Sequence, residues 1–463
     1  MSENSTASRL FEKAPVMQAI AKLALPTVIG QIILVIYNMA DTFFVGLTGN
    51  DAMLTAVTVC MPLYMILSAI SNLFGVGCSS CISRALGRKN VSDARQASSL
   101  SFWGCTLITV LYSVLIFFCG DTFLNWFGGA HPQVHVYASD YLLVAVVLGG
   151  LPTTLNAFFA HLLRAEGKAL HASFGVALGG ILNIVLDPLF MFVILPSGSE
   201  VTGAALATAV SNLISVIYYV IVLYRRRRKT VLYFNWPHAL RPDLLKDILG
   251  TGLPACIMTV MENLSYALME SLIAAYGLAV QTGLGVAKKV NMLAHCVARG
   301  MTQGVLPLIG YNYSAKNYRR MKSALFCSAG LSVAVSVFLL ILNLVFGRFF
   351  VGFFIHSTGD ALDAGTRLLA FLCVGGPFSA FAYTVISFFQ ATGKGIRSFI
   401  LALLRKGLLD IPLMFLLNSF LMETGIVMAT PIADAVCCLV ACILLFRFLK
   451  TLTDVRESSG TEN

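Results

Sequence analysis

Two polar residues interrupt a long apolar stretch in the first half of the sequence. Residues 181–195 read ILNIVLDPLFMFVIL, in which Asn183 and Asp187 stand among aliphatic and aromatic neighbours. Residues four apart lie on one face of a helix, so the amide and the carboxylate can converge on one ion. Removal from water favours a protonated carboxyl group and a nearby cation favours an ionised one, so water access can set the occupancy of H⁺ or Na⁺. The pair predicts an ion-binding site; the alternative is a protonated carboxyl group that locks helices together.

A second carboxylate, Asp41, also lies in an apolar stretch, which makes a purely structural role for both acids harder to justify. An ionised Asp near the middle of a bilayer costs about 3 kcal/mol even on a lenient scale. Pro26 precedes Asp41 by fifteen residues, about 22 Å along a helix. Its ring removes a backbone donor and weakens the helix locally. Pro26 is therefore either a static kink or a hinge that responds to protonation of Asp41.

The composition places these acids in a membrane. Of the 463 residues, 57% are hydrophobic and 12% are charged, and the mean hydropathy is +0.82. Crossing about 30 Å of hydrocarbon takes about 20 apolar residues, and only helices of that length satisfy their own backbone in lipid. The sequence predicts an all-α integral membrane protein whose twelve transmembrane helices lie near residues 15–46, 52–80, 97–119, 134–163, 169–195, 202–224, 246–275, 280–311, 323–347, 361–390, 397–420 and 424–449.

The distribution of Lys and Arg predicts the orientation in the membrane. Of the 32 basic residues, 27 fall in the two terminal segments and in alternate loops, whereas the opposite loops hold only Arg348 and Arg367. Basic residues accumulate on the cytoplasmic side. We therefore expect a multi-pass protein of the cell membrane with both termini cytoplasmic. The RRRRK run at residues 225–229 is interpreted as a lipid-surface anchor, and no nucleic-acid partner is expected.

The chain also contains an internal repeat. LALPTVIGQ at 23–31 recurs as GLPACIMT at 252–259, RAEGK at 164–168 recurs as QATGK at 390–394, and TGAALAT at 202–208 recurs as TGIVMAT at 424–430. An even number of spans returns the chain to the side of the membrane from which it started, so two repeats of six helices have the same orientation. Transporters built from such parallel repeats bind their substrates between the halves. The predicted organisation is a cytoplasmic tail at 1–14, an N-lobe at 15–225, a linker at 226–245, a C-lobe at 246–450 and a tail at 451–463.

Several motifs together resemble the multidrug and toxic compound extrusion (MATE) transporters. They are IYNMADTFFVGLTGNDAM at 36–53, LRAEGK at 163–168, NIVLDPLF at 183–190, GAALAT at 203–208 and QGVLPLIGYNYSAKNYRRMK at 303–322. The resemblance implies a two-lobed exporter of drug-like, often cationic molecules in exchange for H⁺ or Na⁺, without a further cofactor. It places an ion-coupling network at Asp41, Asn156, Asn183, Asp187 and Thr208, in which Na⁺ would bind at Asp41, Asn183 and Asp187.

The C-terminal half carries a different set of charges. The resemblance makes Glu262 a candidate for binding cations, with Tyr37 and Lys289 as further substrate-binding candidates. The alternative is an internal ion pair in which Glu262 or Glu270 neutralises Lys289. Two more acids, Asp410 and Asp434, are expected to be structural or near the cytoplasmic edge. No Asn precedes Asp410 by one helical turn, so we predict that the duplicated ion site is lost in this half.

Two other functional classes compete with drug export. A flippase for lipids or lipid-linked oligosaccharides would favour a cationic cavity, to which Lys288, Lys289 and Arg299 would contribute. A non-transporting receptor or scaffold would not need buried carboxylates. The sequence contains no Walker motif. We therefore expect a transporter driven by an ion gradient rather than an enzyme that hydrolyses ATP. We also expect the protein to be a monomer.

Overall fold

The computed structural model describes residues 9–126, 131–236, 241–355 and 359–460, and this part of the chain is helical with no strand. The N-terminal half comprises α1 (Val16–Gly46), α2 (Asp51–Gly87), α3 (Val91–Trp126), α4 (Pro132–Leu142), α5 (Gly150–Ala165), α6 (Ala169–Leu189) and α7 (Glu200–Arg225). The C-terminal half comprises α8 (Pro242–Ala274), α9 (Leu278–Ser314), α10 (Tyr318–Phe354), α11 (Asp360–Val374), α12 (Gly376–Ala391), α13 (Gly395–Leu403) and α14 (Asp410–Gly460). Wider π-helical turns occupy Arg9–Lys13, Leu143–Leu148, Phe190–Ile194 and Leu404–Leu409.

Twelve membrane spans follow from these helices, which confirms the predicted fold class. Eight helices are long and apolar enough to cross a bilayer, and two bent pairs, α4 with α5 and α11 with α12, raise the number to ten. One of the eight is a 58-residue stretch, Gly395–Leu452, which non-helical backbone at Met422 divides in two. The twelfth is α9, whose 37 residues are long enough but carry Lys288, Lys289 and Arg299.

Three hydrophobic cores divide the bundle into two lobes. One core contains side chains from both halves of the chain. They include residues at the C-terminal ends of α2, α5, α9 and α12. The second contains only residues of the N-terminal half, and the third contains only residues of the C-terminal half. In the described residues the lobes therefore share a core at the face where α1 begins and α14 ends, here called the terminal face. At the opposite face each lobe has its own core.

Small residues allow the lobes to approach closely near the terminal face. A Cβ atom on Gly252 of α8 would lie 1.8 Å from the backbone oxygen of Leu73 in α2. A Cβ atom on Gly77 would lie 2.3 Å from the backbone oxygen of Ile248. Close backbone contact of this kind is typical of helix packing in membranes. Arg84 of α2 closes the same interface with an ion pair to Asp247 at 3.0 Å.

The segment before α1 packs against both lobes. Phe11 is fully buried and its ring lies 5.3 Å from that of Tyr311 in α9. Arg320 of α10 donates to the backbone oxygen of Phe11 at 2.6 Å, and a Cβ atom on Gly167 of the N-lobe would lie 3.3 Å from the Phe11 ring. The described part of the predicted tail at 1–14 is therefore docked, while residues 1–8 lie outside the described residues.

The charge pattern misplaced two basic residues. The 27 basic residues that predict the cytoplasmic side include Arg405 and Lys406, but both are buried inside the C-lobe, with 0% and 1% of their surface exposed. They occupy the π-helical turn between α13 and α14. The assignment was wrong because counting Lys and Arg along the sequence ignores acidic residues on neighbouring helices, which can neutralise a basic residue inside the protein.

Candidate functional site

The N-lobe network is built from three helices. Asn183 and Asp187 lie on α6, one turn apart, and the Asn183 amide donates to the Asp187 carboxylate at 3.1 Å. The same amide donates to the hydroxyl of Thr208 on α7 at 3.2 Å. Asp187 is 0% and Asn183 2% exposed, so the carboxylate and the amide are removed from solvent. Asn156 on α5 donates to Asn212 on α7 at 2.6 Å and completes this side of the network.

Two members of this cluster were missed from the sequence. The Asn212 amide, which bonds to Asn156, also donates to the hydroxyl of Thr153 at 3.1 Å. Asn212 lies in the apolar stretch of α7, so the polar-in-apolar signal that identified Asn183 applied to it as well. Thr153 carried no comparable signal, because a Thr in an apolar helix commonly bonds to its own backbone.

A small cavity lies at the centre of these residues. The space inside it that is open to a water molecule is about 30 Å³, and its lining includes Tyr37, Asn156, Asn183, Thr208 and Asn212. Two glycines of α6, Gly179 and Gly180, also line it. Because one water molecule needs roughly 10–15 Å³ of such space, the cavity suits an ion with water better than a drug.

Three buried oxygen atoms at this site have no hydrogen-bond partner in the described residues. They are Oδ1 of Asn156, Oδ1 of Asn183 and Oδ2 of Asp187. A buried acceptor without a donor costs about 1–3 kcal/mol. A proton on the carboxylate, a water molecule or a hard cation such as Na⁺ would satisfy oxygen acceptors of this kind.

Asp41 lies beside this network on α1. Its side chain is half-buried and interacts electrostatically with Asp187, which lies on a different helix, α6. Tyr64 and Tyr141 are electrostatic neighbours of Asp41 as well, and Tyr37 precedes it by one turn of α1. Helix α1 runs without interruption from Val16 to Gly46 with Pro26 inside it.

In the C-lobe, Glu262 is engaged by other partners than the sequence suggested. Arg299 of α9 donates to Glu262 at 2.6 Å, and the hydroxyl of Tyr383 on α12 donates to its other oxygen at 2.6 Å. Glu270 pairs with Lys288 at 2.5 Å, and Lys289 interacts with Glu270 only at longer range. Both acids form internal ion pairs, but their partners are Arg299 and Lys288, so the predicted partner Lys289 was wrong. The spacing of residues along one helix does not determine which of them faces a given residue of the neighbouring helix.

Asp410 and Asp434 are buried inside the C-lobe. Asp410 is 0% and Asp434 1% exposed. Asp410 accepts hydrogen bonds from Lys406 at 2.8 Å, from Ser265 at 2.6 Å and from Thr430 at 2.9 Å. Asp434 accepts from Arg405 at 2.6 Å. The expected loss of the duplicated ion site stays a prediction. A carboxylate and a Thr remain here, and Lys406 takes the position of the Asn.

Residues 26–189 and 254–416 of this chain, one segment from each lobe, match the MatE protein-family model. The chain belongs to the MatE family. The two matched segments begin at Pro26 and Pro254, the prolines that the internal repeat aligns.

Known relatives of this MatE protein cover nearly its whole length. It is 29% identical over 447 residues to the multidrug export protein MepA of Staphylococcus aureus (strain NCTC 8325 / PS 47), covering 96% of each chain. A crystal structure of MATE in complex with MaL6 superposes with a TM-score of 0.89 at 23% identity, covering 97% of this chain and 100% of that one. An outward-facing multidrug resistance MATE family transporter of the MOP superfamily gives 0.87 at 23% identity, covering 97% and 99%. These structures share the twelve-helix fold.

Proposed function

We propose that this multi-pass membrane protein exports drug-like organic molecules and is driven by H⁺ or Na⁺ that binds in the N-lobe. The observation that carries the proposal is that oxygens of Asn156, Asn183 and Asp187 at this small cavity have no hydrogen-bond partner within the described residues. Hard monovalent cations and protons bind to oxygen, and acids inside a membrane commonly mark ion pathways. The relative named as a multidrug export protein supports the choice of cargo.

Coupling requires that the ion and the drug favour different conformations. Occupancy of Asp187 and Asp41 would change the packing of α1, in which Pro26 would serve as the hinge. A ligand shifts such an equilibrium only through its differential affinity for the two states. In this scheme the lobes move relative to each other, the drug binds between them near Tyr37 and Lys289, and the protein acts as a monomeric transporter rather than an enzyme.

The flippase alternative has less support. A site for a lipid-linked pyrophosphate needs several cations without partners, because the ligand carries the opposite charge. In the described residues, however, Arg299 is neutralised by Glu262 at 2.6 Å and Lys288 by Glu270 at 2.5 Å. Of the three cations that kept this alternative open, Lys289 is the one that has no close ion pair with any residue that the structure describes.

Efflux from proteoliposomes under imposed gradients tests the proposal. Ethidium export should be driven by a pH gradient or a Na⁺ gradient applied separately, and Asp187→Asn should abolish it while the protein remains folded. The substitution keeps size and hydrogen bonding but removes the charge that takes up the ion. Asp140→Asn, the same change at an exposed position of α4, is the matched control and should export normally. Normal gradient-driven efflux by Asp187→Asn would refute the role of the N-lobe site.

A further inference from the structure

The C-lobe contains a counterpart of the N-lobe ion site with the same four-residue spacing. Asn183 and Asp187 are four residues apart on α6, and Lys406 and Asp410 are four apart where α13 passes into α14. The next transmembrane helix supplies a Thr in both lobes. Thr208 bonds to Asn183 at 3.2 Å, and Thr430 bonds to Asp410 at 2.9 Å. The repeat thus preserves a carboxylate and a hydroxyl but exchanges an amide for an ammonium group.

The two carboxylates differ in how far they are satisfied. Among the described residues, one oxygen of Asp187 has no hydrogen-bond partner, and neither does the amide oxygen of the neighbouring Asn183. Both oxygens of Asp410 accept hydrogen bonds, one from Thr430 and the other from Lys406 at 2.8 Å and from Ser265 at 2.6 Å. The ammonium group of Lys406 therefore stands beside the C-lobe carboxylate, where a cation would otherwise be required.

The charges around Asp410 balance only when Lys406 is present. The neighbouring ion pairs are Arg405 with Asp434 at 2.6 Å and Glu262 with Arg299 at 2.6 Å. The aromatic ring of Tyr266 lies 5.2 Å from the Lys406 ammonium group and 4.7 Å from that of Lys288, which is paired with Glu270. Removing Lys406 would leave one buried negative charge in this cluster. An uncompensated buried charge is strongly unfavourable, so the site would acquire a cation from solution or a proton.

We propose that Lys406 is a built-in cation that fills the C-lobe counterpart of the ion site, and that its removal exposes a second monovalent-cation site at Asp410. The comparison with the N-lobe rests on the proposed function, but the gain of a site at Asp410 does not. In the native protein the C-lobe position then binds no cation from solution, and ion exchange is confined to the N-lobe.

Cation binding to the purified full-length protein tests this proposal. Lys406→Asn places the N-lobe residue type at the C-lobe position. Equilibrium dialysis with radioactive sodium should show one additional Na⁺ bound per protein compared with the wild type, or potentiometric titration should show one additional titrating carboxyl group. Lys406→Asn/Asp410→Asn removes both charges and should return the amount bound to the wild-type value. A folded Lys406→Asn protein that binds no more cation than the wild type overturns the proposal.

The neutral double variant also tests the native protein directly, even where Lys406→Asn fails to fold. Lys406→Asn/Asp410→Asn should bind as much cation as the wild type, because Asp410 binds no cation from solution in the wild type. A loss of bound cation in this variant would mean that Asp410 already binds an ion, and it would overturn the proposal. Failure of the proposed function gives a different pattern, in which the wild type binds no cation and Asp187→Asn changes nothing.

Discussion

Glu262 and Arg299 form an ion pair that links α8 to α9, and Tyr383 ties the same carboxylate to α12. The carboxylate is 8% exposed and the guanidinium 36%, so the pair lies at the edge of the protein interior. Breaking a fully buried pair by removing one partner costs about 3–5 kcal/mol, mainly because the remaining charge is uncompensated. The exposure of Arg299 to solvent reduces that cost here, because water screens the remaining charge.

We predict that Glu262→Gln lowers the thermal stability of the purified protein by less than the full cost of a buried pair. Glu262→Gln/Arg299→Met removes both charges and should recover most of the loss, since no charge is then left without its partner. Differential scanning fluorimetry of the wild type, both single variants and the double variant gives the coupling energy.

Export by the same variants separates the two roles considered for Glu262. Recovery of cationic-dye export in the double variant would assign the residue to the internal pair. If stability recovers but export of cationic dyes stays weak while export of neutral drugs is normal, Glu262 binds the cargo.

At the scale of elements, the crossing of α2 and α8 depends on glycines that leave no room for a side chain. Gly252→Ala would place a Cβ atom 1.8 Å from the backbone oxygen of Leu73, and backbone cannot yield as a flexible side chain does. We predict that this variant separates the lobes at the terminal face. Spin labels at Lys89 and Lys394, one on a loop of each lobe, should show a longer distance by electron–electron resonance.

Gly250→Ala is the matched control, because it lies on the same helix and nothing lies within 4 Å of its added Cβ atom. Replacing Gly by Ala inside a helix favours the helix by about 1 kcal/mol, so this variant should be at least as stable as the wild type. The label distance should remain that of the wild type. An equal increase in both variants would show that the lobes respond to helix propensity and not to contact at the crossing.

At the scale of the whole molecule, the shared core at the terminal face and the separate cores opposite it define the direction in which the lobes part. We predict that the 226–245 linker is cytoplasmic and that the 120–133 loop is outside, because basic residues concentrate at the terminal face. The lobes would then part toward the outside, as an exporter requires when it releases cargo.

Reporter fusions with alkaline phosphatase and green fluorescent protein at the two loops measure this topology. Phosphatase should be active only at the outer loop, and fluorescence should develop only at the linker. The opposite pattern would reverse the orientation, and the lobes would then part toward the cytoplasm.

The sequence by itself determined the membrane fold, the division into two lobes and the N-lobe cluster. Hydrocarbon forces each span to be a long apolar helix, so span number can be read from length and composition. The same apolar background makes Asn183 and Asp187 conspicuous, and their spacing of four residues places them together without knowledge of any other helix.

Only the tertiary structure decided how the C-lobe charges are paired. Glu262 meets Arg299 across 37 residues, and Asp410 meets Ser265 across 145. Contacts of this kind depend on the rotation and depth of each helix against its neighbours, which helical spacing leaves open. Lys406 lies in the π-helical turn at Leu404–Leu409 and Asp410 follows directly after it, and the connection from Asp410 to Thr430 is one residue shorter than that from Asp187 to Thr208. Alignment by sequence therefore missed a correspondence that packing of the helices restores.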